Sequence, residues 1–274
     1  MSASPQHRSI ASYTTAITMR TPSWSDLLDD VHQGLLPSGL DLVQPLTVKP
    51  YNDAVPPSFA LPDHGLTNAL VLLIGNTRAL WNPFIQAMRH DPRLRADPNP
   101  IDRYVTQSVR HTLTRLGPLP SHTIRWSFGS PTFAAQRMAE LSGLAARSAS
   151  FLSVHPTYGP WIGLRAAIVF AIAGPPEPLS PARPCSHCSG ACQPLFKSVL
   201  ERSQNPGFAA VRTGWEDWLA VRDACPIGRE HRYSDLQVRY HYTHDRALLE
   251  QALQTAAPTL SEGPNRLGGD TVES

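Results

Sequence analysis

The chain has 274 residues, 41% of them hydrophobic and 17% charged, enough apolar material for one large core or two modest ones. With 24 Lys and Arg against 22 Asp and Glu, the formal net charge is +2, and no run of like charge makes a nucleic-acid stripe. The longest apolar stretch, 161–173, is interrupted by Gly163 and Arg165 and falls short of the roughly 20 residues that a membrane span needs.

In chain order, residues 1–23 and 257–274 are polar and aperiodic, so disordered tails are expected around one folded unit over 24–256. The first 23 residues hold no apolar h-region, which points to the cytoplasm. Ser25 is placed to cap a helix whose Leu27, Leu28, Val31 and Leu35 share a face, ended by Pro37-Ser-Gly. Leu40 to Val48 reads as a strand. Ala69 to Ile74 is a continuous aliphatic run of strand length, buried on both faces, which Gly75 closes. Helices are predicted over 77–89 and from Pro100, with Asn99 as cap. His122 to Phe128 alternates like a strand, and 131–146 reads as a helix. Phe151–Val154 and Trp161–Ile172 read as strands joined across His155-Pro-Thr-Tyr-Gly-Pro. The chain from Gln193 onward reads as mostly helical. Strands interleaved with helices, without regular βαβ units, predict an α+β layered fold.

No GxGxxG, GxxxxGK[ST], GxSxG or HExxH pattern occurs. The four cysteines are Cys185, Cys188, Cys192 and Cys225, three of them within eight residues. In a chain without an export signal this spacing argues for metal or redox chemistry over a disulfide framework. Four thiols complete the ligand set of a structural zinc or of one iron-sulfur cluster, and free buried thiols are the alternative. The C-x3-C step before Cys192 departs from the ferredoxin C-x2-C-x2-C run.

Lys49 and Lys197 are the only lysines, so nearly all the positive charge is guanidinium. Arg165 lies inside an apolar strand, while Arg222 and Arg246 lie among aromatics. An unpaired charge in the interior costs several kcal/mol, so each needs a partner. That partner is either a structural carboxylate, such as Asp217 or Glu216 for Arg222, or an anionic ligand held by converging forks. Tyr158, Trp161, Trp215, Trp218 and Tyr233 either wall a flat ligand pocket or form core.

Several segments resemble the CblC-type (MMACHC) cobalamin-processing family, in one collinear order over about residues 34–250. They are Tyr51-Asn-Asp-Ala-Val-Pro-Pro-Ser-Phe-Ala-Leu-Pro, Ala69 to Ile74 and Leu80-Trp-Asn-Pro-Phe-Ile-Gln. Val154-His-Pro-Thr-Tyr-Gly-Pro-Trp through Arg165, Trp215-Glu-Asp-Trp with Arg222-Asp-Ala, and Arg232-Tyr-Ser complete the set. The resemblance implies a flavin-reductase or nitroreductase-like α+β fold with a mixed, largely antiparallel sheet packed by helices. It implies base-off cobalamin binding, reductive decyanation with reduced flavin (FMN or FAD), and dealkylation by transfer to glutathione. The family's glutathione-contacting arginines correspond to Arg165, Arg222 and Arg246. Cobalamin contacts are expected at Tyr51, His155, Tyr158, Trp161, Trp215, Trp218 and Tyr233. A cobalamin-delivery protein is the expected partner, and monomer and homodimer stay open.

Two departures stand out. The vertebrate-like corrin-cradling segment is much shorter here, at Ala146-Arg-Ser-Ala-Ser-Phe. The Cys-rich loop at 184–193 is foreign to the vertebrate pattern and is similar in position to the start of the iron-sulfur segments of epoxyqueuosine reductases and reductive dehalogenases. A corrinoid reductase with a cluster, and a non-enzymatic cobalamin chaperone with a structural zinc, are therefore the rival readings.

Overall fold

A computed structural model describes residues 22–176, 180–186, 188–202, 211–212 and 214–255. The expected tails fall outside these residues, apart from Pro22 and Ser23. The strands are β1 (Leu42–Thr47), β2 (Ala69–Asn76), β3 (His122–Trp126), β4 (Ala146–Arg147), β5 (Ser153–Val154) and β6 (Gly163–Ala173). The helices up to the sheet's last strand are α1 (Trp24–Leu35), α2 (Val48–Asp53), α3 (Trp81–His90), α4 (Pro92–Ala96), α5 (Pro100–Arg115) and α6 (Ala135–Leu141). After it come α7 (Cys192–Arg202), α8 (Trp215–Asp223), α9 (Asp235–Thr243) and α10 (Arg246–Thr255).

β2 is buried along its whole length because it is covered on both faces and paired on both edges. The sheet order is β1-β2-β6-β3, every pair antiparallel. Side chains alternate across a strand, so Leu70, Leu72 and Ile74 enter a core shared with α1, α3, α5 and α10. Ala69, Val71 and Leu73 enter a second core with α2 and α6. β6 divides the same way, with Ala166, Ile168 and Phe170 on the first side and Ala167 and Val169 on the second. The result is an α+β fold of three layers. Pro45, which cannot donate to a ladder, lies on the edge strand β1.

Some boundaries differ from the expectation, each for a local reason. Ser23, not Ser25, caps α1: its hydroxyl accepts the Asp26 N–H while the Asp26 carboxylate accepts the Ser23 N–H. β2 runs past Gly75 to Asn76 because Gly163 and Leu164 of β6 pair that far. The helix predicted over 77–89 begins as a tight turn at Arg78–Leu80 and becomes α-helical at Trp81. Pro100 opens α5, but the Asn99 side chain makes no capping bond. The segment predicted helical over 131–146 is helical only over Ala135–Leu141. The Thr132 hydroxyl donates to the carbonyls of Trp126 and Ser127, which holds the preceding residues against the end of β3. Ala146–Arg147 forms a strand that periodicity does not show, and β5 pairs with it rather than with the strand after the His155 loop.

Tyr51 ties the second core together. Its side chain is fully buried, its hydroxyl donates to the Phe59 carbonyl at 3.1 Å, and it accepts the Ala134 N–H at 2.8 Å. Tyr51→Phe keeps the ring and strands both backbone groups, so it is expected to cost about 1–3 kcal/mol of stability in urea unfolding. A midpoint equal to wild type would show that solvent satisfies those groups.

Candidate functional site

The antiparallel register gathers one end of each sheet strand at a common edge. Leu42 opens β1 opposite Gly75, Asn76 ends β2 opposite Gly163, and Trp126 ends β3 opposite Ala166. Ile74 pairs with Ala166 while Gly75 pairs with Leu164, so Arg165 is an extra, unpaired residue of β6. A bulge of this kind re-aims the bulged side chain. Arg165 is only partly buried there, and its Nε donates to Asn76 Oδ1 at 2.7 Å. Gly163 leaves room beside it: a Cβ there would stand 2.8 Å from Asn76 Oδ1 and 3.0 Å from Arg165 Nη2, so a larger residue would displace the Asn76–Arg165 contact.

Arg222 reaches the same edge from α8. It is 6% exposed, and its Nε and Nη2 donate to the Pro160 carbonyl at 3.0 and 2.6 Å. Its guanidinium lies 4.5 Å from the Trp161 ring and 5.1 Å from the Tyr233 ring, a cation–π arrangement. Arg232 also covers Trp161, but it is neutralised by Asp223 and Asp235 at 2.8 and 2.7 Å. Among the described residues neither Arg165 nor Arg222 forms an ion pair, and Asp217 is taken by Arg202.

The neighbouring titratable groups respond to this uncompensated charge. The protein packed around the His241 imidazole, whose residue is itself exposed, pushes it down to about 3, and Arg222 and Arg165 push it the same way. Burial raises the Tyr233 and Tyr242 hydroxyls against the opposing pull of Arg222. Burial also raises the Asp102 carboxyl, which Arg165 opposes. A cavity of about 80 Å³ lies here, lined by Asn99, Asp102, Arg165, Tyr240, His241 and His244. That volume suits a carboxylate-sized group rather than a corrin ring.

On the loop before Trp161, His155 Nδ1 accepts the N–H groups of Thr157 and Tyr158 at 3.0 and 3.2 Å. The neutral ring therefore carries its proton on Nε2. Burial lowers its pKa, with Asp41 opposing and His231 adding. Tyr158 lies between the two imidazoles, 4.7 Å from His155 and 4.8 Å from His231.

The structure thus brings together Arg165, Arg222, Trp161 and Tyr233, with Trp215 packed on the same aromatic cluster and His155 and Tyr158 on the adjoining loop. Three expected residues stand elsewhere. Tyr51 belongs to the core on the sheet's other side. Trp218 packs on Phe196 beside Cys192. The Arg246 guanidinium donates to the carbonyls of Asp97 and Arg95. Four residues that the sequence reading passed over belong to the site: Asn76, Asp102, His241 and Tyr242. Asn76 carried a readable signal, a polar residue closing an otherwise apolar run.

All four cysteines are free thiols, Cys192 and Cys225 buried and Cys185 and Cys188 partly so. Burial pushes the Cys225 thiol up, and Cys185, Cys188 and Cys192 add to the shift, which puts the four in one neighbourhood. Among the described residues no three His, Cys, Asp or Glu side chains are already arranged to hold a metal ion. No described helix is long and apolar enough to cross a membrane.

The His241 environment has a pH signature. A histidine whose pKa is about 3 when folded and 6.5 when unfolded binds fewer protons in the native state. Its contribution to stability is complete above 6.5 and is lost as pH falls toward 3. His241→Gln should flatten the fall in melting temperature between those values, measured by thermal scans at matched ionic strength. An unchanged slope would mean that other groups carry the acid sensitivity.

No protein-family model matches the chain. It is 26% identical over 244 residues to the human protein named cyanocobalamin reductase / alkylcobalamin dealkylase, covering 81% of this chain and 79% of the relative. The bovine protein of the same name is 24% identical over 240 residues, covering 81% and 80%. Among solved structures, a C. elegans B12-trafficking protein CblC, described as a human MMACHC homologue, superimposes with a TM-score of 0.65 at 18% identity. That match covers 86% of this chain and 98% of the other and shows a shared fold. Along most of its length the chain is thus similar in sequence to proteins named cyanocobalamin reductase / alkylcobalamin dealkylase, and it shares the fold of a CblC protein.

Proposed function

We propose that this protein is a cobalamin-processing enzyme that binds cobalamin with its lower base detached and removes the upper axial ligand. The relatives' names supply the reaction class, cyanocobalamin reduction and alkylcobalamin dealkylation. The observation that supports it on this chain is the pair of guanidiniums, neither closing an ion pair among the described residues: Arg165 held by Asn76, and Arg222 held by Pro160 against Trp161 and Tyr233. Two fixed cations suit a co-substrate with two carboxylates, and glutathione is such a thiol.

Detaching the lower base withdraws a donor from cobalt and eases its reduction, so the cofactor carries the difficult chemistry while the protein sets geometry. In dealkylation the glutathione thiol first loses its proton, and the thiolate attacks the cobalt-bound carbon in line. A C–S bond forms as the Co–C bond breaks, its electron pair staying on cobalt. Arg165 and Arg222 contribute proximity by anchoring the carboxylates. In decyanation a reduced flavin supplies the electrons and cyanide leaves with the bonding pair; no residues of this chain are assigned to the flavin. His155 and Tyr158, on the loop, are the proposed corrin contacts, with Trp215 on the Trp161–Tyr233 cluster a further one. Trp161 and Tyr233 form the floor under Arg222.

The test has two arms. Cyanocobalamin titrated into the full chain should give a saturable shift to the base-off spectrum; an unchanged spectrum with no calorimetric heat would remove the reading. Arg165→Lys keeps the charge but loses the fork and the Nε bond to Asn76. Since a charge-assisted hydrogen bond contributes roughly 1.5–3 kcal/mol, the variant should raise the KM for glutathione about 10- to 100-fold with methylcobalamin as substrate. Its cobalamin titration should stay as in wild type. Wild-type KM in the variant would exclude Arg165 from thiol recognition, and binding without turnover would make the protein a carrier.

A further inference from the structure

We propose that Cys185, Cys188, Cys192 and Cys225 hold one zinc ion as a four-thiolate site that fixes α8, and with it Arg222, against the His155 loop. Three of these thiols come from one short segment and the fourth is delivered by the fold. The Cys188 N–H donates to the Cys185 carbonyl at 3.2 Å, so the first two cysteines flank a tight turn. Gly190, with φ +74°, then lets the chain double back and aim its N–H at Cys188 Sγ at 3.4 Å, the type of contact that supports a thiolate. Cys192 opens α7 and packs in a buried cluster with Ala224, the residue before Cys225.

A tetrahedral ion takes four thiolates as a closed structural set. The sulfurs do not stand in ligating geometry by themselves, and the ion would supply that last convergence, since metal binding to such a site is folding free energy. The C-x3-C step favours zinc over a cluster of the ferredoxin pattern.

The position gives the ion a task. Arg222 lies three residues before Cys225, and the Cys225 N–H closes that turn on the Arg222 carbonyl at 3.2 Å. Beyond Cys225, Ile227 and Gly228 meet Tyr158 and Gly159 backbone to backbone: a Cβ on Gly159 would stand 1.9 Å from the Ile227 carbonyl oxygen, and one on Gly228 2.2 Å from the Tyr158 carbonyl carbon. Anchoring Cys225 therefore anchors both the arginine and the loop that accepts it. The inference concerns metal and stability, so its readouts need no cobalamin.

The full chain, purified under reducing conditions without chelator, should contain about one zinc per chain and show protected thiols in native titration. Replacement by Co(II) should give intense thiolate-to-cobalt absorption. Cys188→Ser, which lies outside the arginine site, should lower zinc content at least tenfold and reduce the melting temperature. If that variant is not recovered folded, metal content and Co(II) absorption of the wild-type chain decide. Four freely titrating thiols without metal, a disulfide, or iron with sulfide would each overturn the proposal.

Discussion

The register between β2 and β6 is the constraint on which the site depends. Eight residues of β2 are buried on both faces, so neither strand can slip by one residue without turning a row of Leu, Ile and Val to the wrong core. Where the pairing shifts between Ile74 and Gly75, one residue of β6 is left without a partner on β2, and it is Arg165. The charged side chain thereby leaves an apolar strand at the sheet's edge, where Asn76, the last residue of β2, accepts its Nε. Gly75 and Gly163 leave the room: a Cβ on Gly75 would lie 2.7 Å from the Gly163 carbonyl oxygen.

Arg222 follows a different physical rule to the same place. A guanidinium this buried usually meets a carboxylate, because an unpaired interior charge is costly. Here it has a backbone carbonyl and two aromatic faces instead, which orient the cation without cancelling its charge. The contrast with Arg232, on the other side of Trp161, is direct: two aspartates neutralise that residue, so it serves packing. His241 reports the same field, its pKa lowered by the surrounding protein and by both cations.

The sequence displays the features that depend on neighbours close in the chain. The aliphatic run at 69–74 reads as a doubly covered strand, and the helical faces of Leu27 and Val31 or of Phe84 and Met88 read as core because period and burial coincide. Arg165, Trp161 and Tyr233 are legible as chemistry-bearing residues from type and setting. Their geometry is not, since the bulge is a relation between strands about ninety residues apart, and no window contains both. Arg246 reads like the other two arginines yet docks on the carbonyls of Asp97 and Arg95, a contact set by how α10 returns to the α4–α5 connection. His241 escapes notice because a histidine between two tyrosines on a helix looks like surface; it is exposed, and only the tertiary fold places it in the lining of the cavity that Arg165 shares.

Asp102 bears on which anions the proposed site would take. Its half-buried carboxyl interacts with Arg165 without closing an ion pair, so part of that cation's field is already answered before any ligand arrives. A monoanion entering the 80 Å³ cavity must compete with that fixed carboxylate for one guanidinium. On the proposed reading a ligand with two carboxylates would engage Arg165 and Arg222 together, and Arg222, which forms no ion pair among the described residues, is not discounted in this way. Because both cations are held by neutral acceptors, their orientation survives whether or not a ligand is bound, so little side-chain ordering is left for binding to offset. If these arginines anchor the co-substrate as proposed, dianionic thiols would be preferred over monoanionic ones, through Asp102 and the two cations rather than through any contact with the sulfur.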